Sequence, residues 1–400
     1  MSANMPKRLL TIPLFNLSEY IINHYIHYGR FGNFHYSIQK RDNKNFFIKV
    51  YKKSVILEKK LFDKILHELE IYEKLTTSLF FPKILGISSN DPKYICLLFD
   101  YIPGGKFRRL LNEKKKLSLE QSKFYIANIL AILEYLHKNN IVYRDLKPDN
   151  LLIKENGYLS ILDISYAKEL RHFKDLTYTL CGTPNYLAPE IILNKGYNFS
   201  VDFWSLGVML YEMLIGKDPY HHHDPMIIYQ NILKNRMNFP KVIDRDAKSL
   251  INHLLVQDPS KRFGCLKSGI SDIRNHRLYN DFRWRKLNDN SLEAPFKPDF
   301  EDEKAIFSKY YDVEKINVKI KEKYDISKEE SERIKKELQE NKNAKTKKVN
   351  LIEGIEIIDS DTEAKEILES EDPFIDWWLK NLILIKRLIK FYFKYNDKIL

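Results

Sequence analysis

Eight consecutive residues, Tyr143-Arg144-Asp145-Leu146-Lys147-Pro148-Asp149-Asn150, constrain this chain of 400 residues more than any other stretch, and Asp163-Ile164-Ser165 follows thirteen residues after Asn150. As structure, the run is a polar loop between a helix and a strand. As chemistry, it supplies a carboxylate to orient a hydroxyl (Asp145), an ammonium for a transferring phosphoryl group (Lys147), and an amide and a carboxylate of the kind magnesium takes (Asn150, Asp163). Phosphoryl transfer needs little covalent help from protein. It rests on positioning and on neutralising charge, which these residue types at this spacing provide.

The chain is long enough for two lobes, each with its own core. A hydrophobic fraction of 44% and an aromatic fraction of 13% describe a globular protein. The net charge of +12 favours acidic surfaces, but the Lys residues are spread without a dense block, so nucleic acid is not an expected partner. Three well-separated cysteines, Cys96, Cys181 and Cys265, fit a reducing compartment rather than a disulfide framework or a zinc site. The cytoplasm, with the nucleus second, is the expected location. The apolar run from Leu9 to Phe15 is short and interrupted by Pro13, so no signal peptide is expected, and Ser2 excludes myristoylation of a Gly there.

Residues 23 to 52 alternate aromatic and polar residues around Gly29 and Gly32, which predicts strands joined by a tight turn. Residues 57 to 75 carry Leu61, Ile65, Leu69 and Tyr72 at helical spacing. Strand character returns at Tyr94-Ile95-Cys96-Leu97-Leu98-Phe99, and Pro103-Gly104-Gly105 ends it. Helices are expected over 119 to 138, 201 to 216 and 247 to 256. The implied architecture is α+β: an N-terminal segment (1–19), a β-rich small lobe (20–100), a mainly helical large lobe (101–285), a tail (286–322), and a charged linker with a final helix (323–400).

Further motifs complete the pattern: Leu180-Cys181-Gly182-Thr183-Pro184, Tyr186-Leu187-Ala188-Pro189-Glu190, Lys261-Arg262-Phe263-Gly264 and Glu293-Ala294-Pro295-Phe296. With them the chain, over residues 20 to 322, resembles the eukaryotic protein serine/threonine kinases of the AGC group, and most closely the catalytic subunits of the cyclic-AMP-dependent kinases. The resemblance implies the bilobal protein-kinase fold, with ATP and magnesium as cofactors and Ser/Thr hydroxyls of proteins as acceptors. It implies that Lys49, in Phe47-Ile48-Lys49-Val50, grips the phosphates and that Glu68 pairs with it, although Glu58, Glu70 and Glu73 are neighbouring candidates. Asp145 is then the catalytic carboxylate, Lys147 contacts the γ-phosphate, and Asn150 and Asp163 hold the metal. Gly29, Gly32, Phe34, Phe47, Asp100, Ile102 and Leu152 would surround the nucleotide. Glu190 and Arg262 would form a structural ion pair, and Asp202 would steady the catalytic-loop backbone. Thr179 matches the activation-loop phosphorylation site, with Arg144, Lys168 and Lys64 as cations for the phosphate and Thr177 and Tyr178 as weaker candidates; Thr183 and Glu212 would touch the substrate. Implied partners are protein substrates, an upstream activating kinase and a cyclic-nucleotide-binding regulatory subunit, to which Tyr178 stands where the family presents a Trp.

The chain departs from the family at the nucleotide. His27 replaces the first Gly of the Gly-rich loop, Phe34 replaces a Val, and Phe47 replaces a small Ala. Two added rings aimed at one slot would take much of a purine's volume, and overfilling a packed site costs about 1–3 kcal/mol. Leu162 replaces a Thr, Ile164 a Phe, and Ser165 the flexible Gly of the metal-binding motif, which predicts altered switching. Lys106 and Asn185 stand where the family uses acids to attract basic peptides, alongside the retained Asp149 and Glu212. The alternative is therefore a weak kinase or pseudokinase serving as a binding module. Phe307 and Tyr310 match tail aromatics that fold over the nucleotide; Phe374-Ile375-Asp376-Trp377 is a displaced candidate for the family's terminal docking motif. Residues 376 to 394 read as an amphipathic basic helix, too charged to span a bilayer, that docks on the lobes or, through residues 374–400, touches a membrane surface or partner.

Overall fold

The computed structural model describes residues 12–298, apart from positions 76, 77, 89, 90, 92, 173 and 242. Phe307, Tyr310 and the segment 374–400 thus lie outside the described residues, and with them the expectations about a tail over the nucleotide and a membrane-facing helix. No described helix is long and apolar enough to cross a membrane.

The small lobe is a five-stranded antiparallel sheet of β1 (Tyr20–Tyr28), β2 (Asn33–Gln39), β3 (Asn45–Lys52), β4 (Ile84–Ser88) and β5 (Tyr94–Asp100), in the order β1-β2-β3-β5-β4. Alternation along β3 sorts its side chains. Phe47, Lys49 and Tyr51 share one face, while Ile48 turns to the other and packs with Tyr20, Cys96 and Leu98. The register then places Phe34 and Leu97 opposite Lys49, and Tyr36 and Phe99 opposite Phe47. One pairing scheme thereby brings an ammonium and a cluster of rings to the same face.

The expected helix over 57 to 75 is two helices, α1 (Lys53–Glu58) and α2 (Phe62–Leu75). Lys60 adopts a positive φ of 49°, and Leu61 N bonds back to Ile56 O, so the chain turns between them. On α2 the buried stripe is Ile65, Glu68, Ile71, Tyr72 and Leu75. A carboxylate on an apolar stripe needs a partner, which separates Glu68 from Glu70 and Glu73 on the helix flanks.

In the large lobe, α3 (Phe107–Lys114) is followed by α4 (Leu119–Lys138), whose start is fixed by a reciprocal capping box between Ser118 and Gln121. Strands β6 (Ile141–Val142), β7 (Leu151–Ile153), β8 (Leu159–Ile161) and β9 (Lys168–Glu169) form two small antiparallel ribbons, β6 with β9 and β7 with β8. Helices α5 (Pro189–Ile192), α6 (Ser200–Ile215), α7 (Pro225–Leu233) and α8 (Arg245–Leu254) complete the core. Helix α8 begins two residues before the expected start because Asp244 accepts from the backbone of Asp246 and Ala247. Helix α6 is apolar almost all round and is buried almost all round; Gly216, at φ 88°, ends it.

The buried Arg262 guanidinium pairs with both oxygens of Glu190, at 2.6 and 3.0 Å, and also donates to Ser200 O and Val256 O. Such a fork ties α5, α6 and the chain after α8 into one block. Beyond α8, the chain around Phe296 runs against the β7–β8 turn. Gly157 there has φ 84°, and a Cβ on it would lie 2.2 Å from Phe296 O, so only glycine fits.

Candidate active site

Lys49 is fully buried and its ammonium is the centre of the site. It donates to Glu68 Oε1, to Asp163 Oδ1 at 2.8 Å and to Ser165 Oγ at 2.9 Å. The Phe34 ring lies 4.7 Å from Lys49 Nζ. Burial pulls the Lys49 ammonium down, but Asp163 and Glu68 more than offset it, and its pKa stands above that of an ordinary lysine. The two carboxylates diverge. Burial pushes Glu68 above its usual range despite Lys49, whereas for Asp163 the opposing cation and the hydrogen bonds outweigh burial and hold it well below. Asp163 therefore carries the firm negative charge of the cluster.

Ser165 does more than stiffen the backbone. Its Oγ donates to Asp163 Oδ1 at 2.6 Å, its N–H donates to the same oxygen at 3.1 Å, and it sits 3.2 Å from Glu68 Oε1. Nothing in the sequence signals this beyond a hydroxyl two positions after Asp163. Removing a hydrogen bond to a charged group costs about 1.5–3 kcal/mol, so Ser165→Ala should lower the free energy of unfolding by that much, read from urea denaturation followed by circular dichroism.

The catalytic loop joins β6 to β7 and is gripped from below. Asp202, at the start of α6, accepts from Tyr143 N at 2.9 Å, Arg144 N at 2.8 Å and His137 Nε2 at 2.8 Å. Arg144 is held at φ 72°, a conformation disfavoured for a side-chain-bearing residue, and Asp202 fastens the backbone there. Above this anchor the functional side chains converge on Asp145. Thr183 Oγ1 donates to its Oδ1 at 2.9 Å, and Asn150 Nδ2 donates to its Oδ2 at 2.7 Å. Lys147 Nζ lies 3.0 Å from the same Oδ2 and donates to Thr183 Oγ1 at 2.7 Å. Asn150 Oδ1 is buried and has no hydrogen-bond partner among the described residues. An orphaned amide oxygen beside two carboxylate-bearing segments is a hard-oxygen ligand in search of a cation.

The side expected to take the nucleotide is crowded. Phe34 and Phe47 are both fully buried, Phe34 against Phe99 (centroids 5.6 Å apart) and Phe47 against Tyr101 (5.1 Å). Leu152, Ile102 and Leu162 are buried in the same hydrophobic cluster. Asp100 turns its carboxylate to Lys83 N, 2.6 Å away, so its side chain serves the start of β4 rather than the slot. Gly29 lies so close to Asp163 that a Cβ there would sit 3.0 Å from Oδ2 and 2.3 Å from Gly32 O. His27, treated from sequence only as a lost glycine, reaches in from β1: its Nε2 is 3.3 Å from Asp163 Oδ2, and its Nδ1 is 3.5 Å from Lys106 Nζ. Burial lowers its pKa in spite of the Asp163 contact. Both oxygens of Asp163 are thus engaged, one by Lys49 and Ser165, the other by His27.

On the segment after β9, Thr179 is exposed and its carbonyl accepts from Tyr197 OH at 2.6 Å. Arg144 Nη1 donates to the same hydroxyl at 3.3 Å, so Tyr197 links the expected phosphate-binding cation to Thr179. Lys168 instead donates to Thr177 Oγ1 at 3.0 Å, and Thr177 is buried. Lys64 is exposed on α2. Glu212, on α6, contacts Arg108 and Tyr186. Sequence reasoning missed His27 as a partner of Asp163, the Ser165 hydroxyl, Arg108 and Tyr197.

Asn150 and Asp163 fit a magnesium ion by donor type. No three His, Cys, Asp or Glu side chains converge as a metal cage among the described residues.

Residues 20–278 match the protein kinase domain family. Over 272 residues the chain is 40% identical to the cAMP-dependent protein kinase catalytic subunit of Dictyostelium discoideum, covering 68% of this chain and 41% of that protein. It is 36% identical over 284 residues to cAMP-dependent protein kinase type 3 of Saccharomyces cerevisiae, covering 71% and 70% respectively. To human cGMP-dependent protein kinase 2 it is 39% identical over 286 residues, covering 70% of this chain and 37% of that protein. The chain thus spans under half the length of two of these three relatives.

Proposed function

Since this chain belongs to the protein kinase family, we propose that it transfers the γ-phosphate of ATP to Ser and Thr hydroxyls of protein substrates. The observation that carries this is the convergence of Thr183, Lys147 and Asn150 on Asp145, beside a second cluster of Lys49, Glu68 and Asp163. Asp145 would take the hydroxyl proton, Lys147 brings positive charge within 3.0 Å of it, and the Thr183 hydroxyl holds its orientation. Lys49 would hold nucleotide phosphates, and Asn150 and Asp163 would hold magnesium, which neutralises developing phosphate charge when bound. Thr179, exposed and tied through Tyr197 to Arg144, is the residue we assign to activating phosphorylation by another kinase. Two of the relatives are named for cAMP dependence; by extension a cyclic-nucleotide-binding regulatory subunit is the partner we assign to this chain, with Tyr178, exposed on the same segment, as its contact. Incubation with γ-labelled ATP, magnesium and a mixed peptide pool should label Ser and Thr; a complete absence of label rejects the reading.

A second reading, a binding module with little or no catalysis, has its own support. Phe34 and Phe47 expose no surface, and His27 engages the oxygen of Asp163 that Lys49 leaves. Titration with Mg-ATP distinguishes the two, because a module of this kind should show no thermal shift at millimolar nucleotide.

A further inference from the structure

Arg108, on the first turn of α3, spreads its guanidinium over the acidic groups that border the catalytic loop. Nε donates to Asp149 Oδ2 at 3.0 Å, Nη1 donates to Glu212 Oε1, and Nη2 donates to Tyr186 OH at 2.8 Å. Every nitrogen of the fork is engaged, in the planar geometry that distinguishes Arg from Lys. The position matters as much as the pairing. Asp149 lies four residues after Asp145, on the turn that carries Lys147; Tyr186 lies three residues after Thr183, which itself bonds Asp145 and Lys147. Asp149 and Glu212 therefore flank the surface on which a chain presenting its hydroxyl to Asp145 has to lie.

We propose that Arg108 is a built-in occupant of this acidic subsite, so that the protein takes substrates lacking a basic residue ahead of the target hydroxyl. The proposal rests on the kinase reading above and names its substrate class. The side chain of Glu212 is only 9% exposed, against 42% for Asp149. A cation arriving from solvent would have to displace from Glu212 a guanidinium held by three hydrogen bonds. The Arg108 guanidinium bonds both carboxylates directly, through Nε to Asp149 and Nη1 to Glu212. With a guanidinium of its own shared between the two carboxylates, the surface offers an approaching basic peptide little unpaired negative charge. Neutral or acidic residues ahead of the hydroxyl meet no such penalty.

The alternative is that Arg108 only ties α3 to α6 and the loop. Fluorescence polarisation of the full chain with two labelled peptides, differing only in Arg or Ala at the positions before one Ser, separates the cases. The wild type should bind both within about twofold, and Arg108→Ala should bind the Arg peptide about tenfold tighter while leaving the Ala peptide unchanged. Arg108→Lys, which keeps the charge but cannot bridge both carboxylates, should shift the ratio about threefold and serves if the Ala variant does not fold. A wild type that already prefers the Arg peptide tenfold, or a folded variant with no change in ratio, overturns the assignment. Polarisation needs no turnover. A switched preference without phosphate transfer would reject the kinase reading alone, and transfer without a switch would reject this one alone.

Discussion

Asp145→Asn should lower kcat for phosphate transfer by about 10²–10⁴-fold, the range expected for losing a positioned general base, while the protein stays folded. The carboxylate is held by Thr183 Oγ1, Asn150 Nδ2 and Lys147 Nζ. An asparagine has nearly the same shape, and its carbonyl oxygen can keep the bond from Asn150. The Thr183 hydroxyl can rotate to accept from the new amide. What disappears is the anionic oxygen that would take the hydroxyl proton and that balances Lys147. The asymmetry between chemistry and stability is the informative part. Initial rates with γ-labelled ATP should collapse while the circular dichroism melt stays close to that of the wild type. Undiminished incorporation would place any transfer elsewhere than on this loop.

Phe47→Ala should destabilise the free protein by about 3–5 kcal/mol, the usual cost of deleting a buried phenyl ring, and should make it respond to nucleotide. Phe47 lies two residues before Lys49 on the same face of β3, packs on Tyr101 and shares a cluster with Leu152 and Ile102. Its removal leaves an apolar space on the face of β3 that carries the Lys49 ammonium. A ligand at one hundred times its dissociation constant would then restore about 2.7 kcal/mol. Thermal melts with and without Mg-ATP read both effects: a lower midpoint without nucleotide, and a larger upward shift with it than the wild type shows. Equal shifts in the two proteins would mean that the ring does not close the slot.

Much of the fold and part of the site were legible from residue order, for identifiable reasons. Helix α4 was readable to its ends because Ser118 and Gln121 cap it and its interior is uninterrupted. The catalytic loop was readable because its chemistry is local, with Asp145, Lys147 and Asn150 lying within six residues. The turn at Lys60 was not, since Leu61 continues the apolar spacing while the backbone changes hand beneath it. Glu68 was one of several acids until the buried stripe of α2 singled it out. His27 and Ser165 were seen only as substitutions, and Arg108 was not singled out at all. Their partners lie at Asp163, at Lys49 and at Glu212, and the last pair is 104 residues apart.

By itself, the order of residues determined the inventory of this protein: a two-lobed α+β chain of the protein kinase family with carboxylates, ammonium groups and an amide at set spacing. It also marked where the inventory was unusual, at Phe34, Phe47 and Ser165. Only the tertiary structure decided what those unusual residues do. Strand register stacks Phe34 over Lys49, close packing leaves no exposed surface on either ring, and the fork of Arg108 fits two carboxylates that the sequence keeps far apart. Spacing along a chain can specify groups that act within one loop. The partners of a buried charge or ring are set by which distant segments burial forces together.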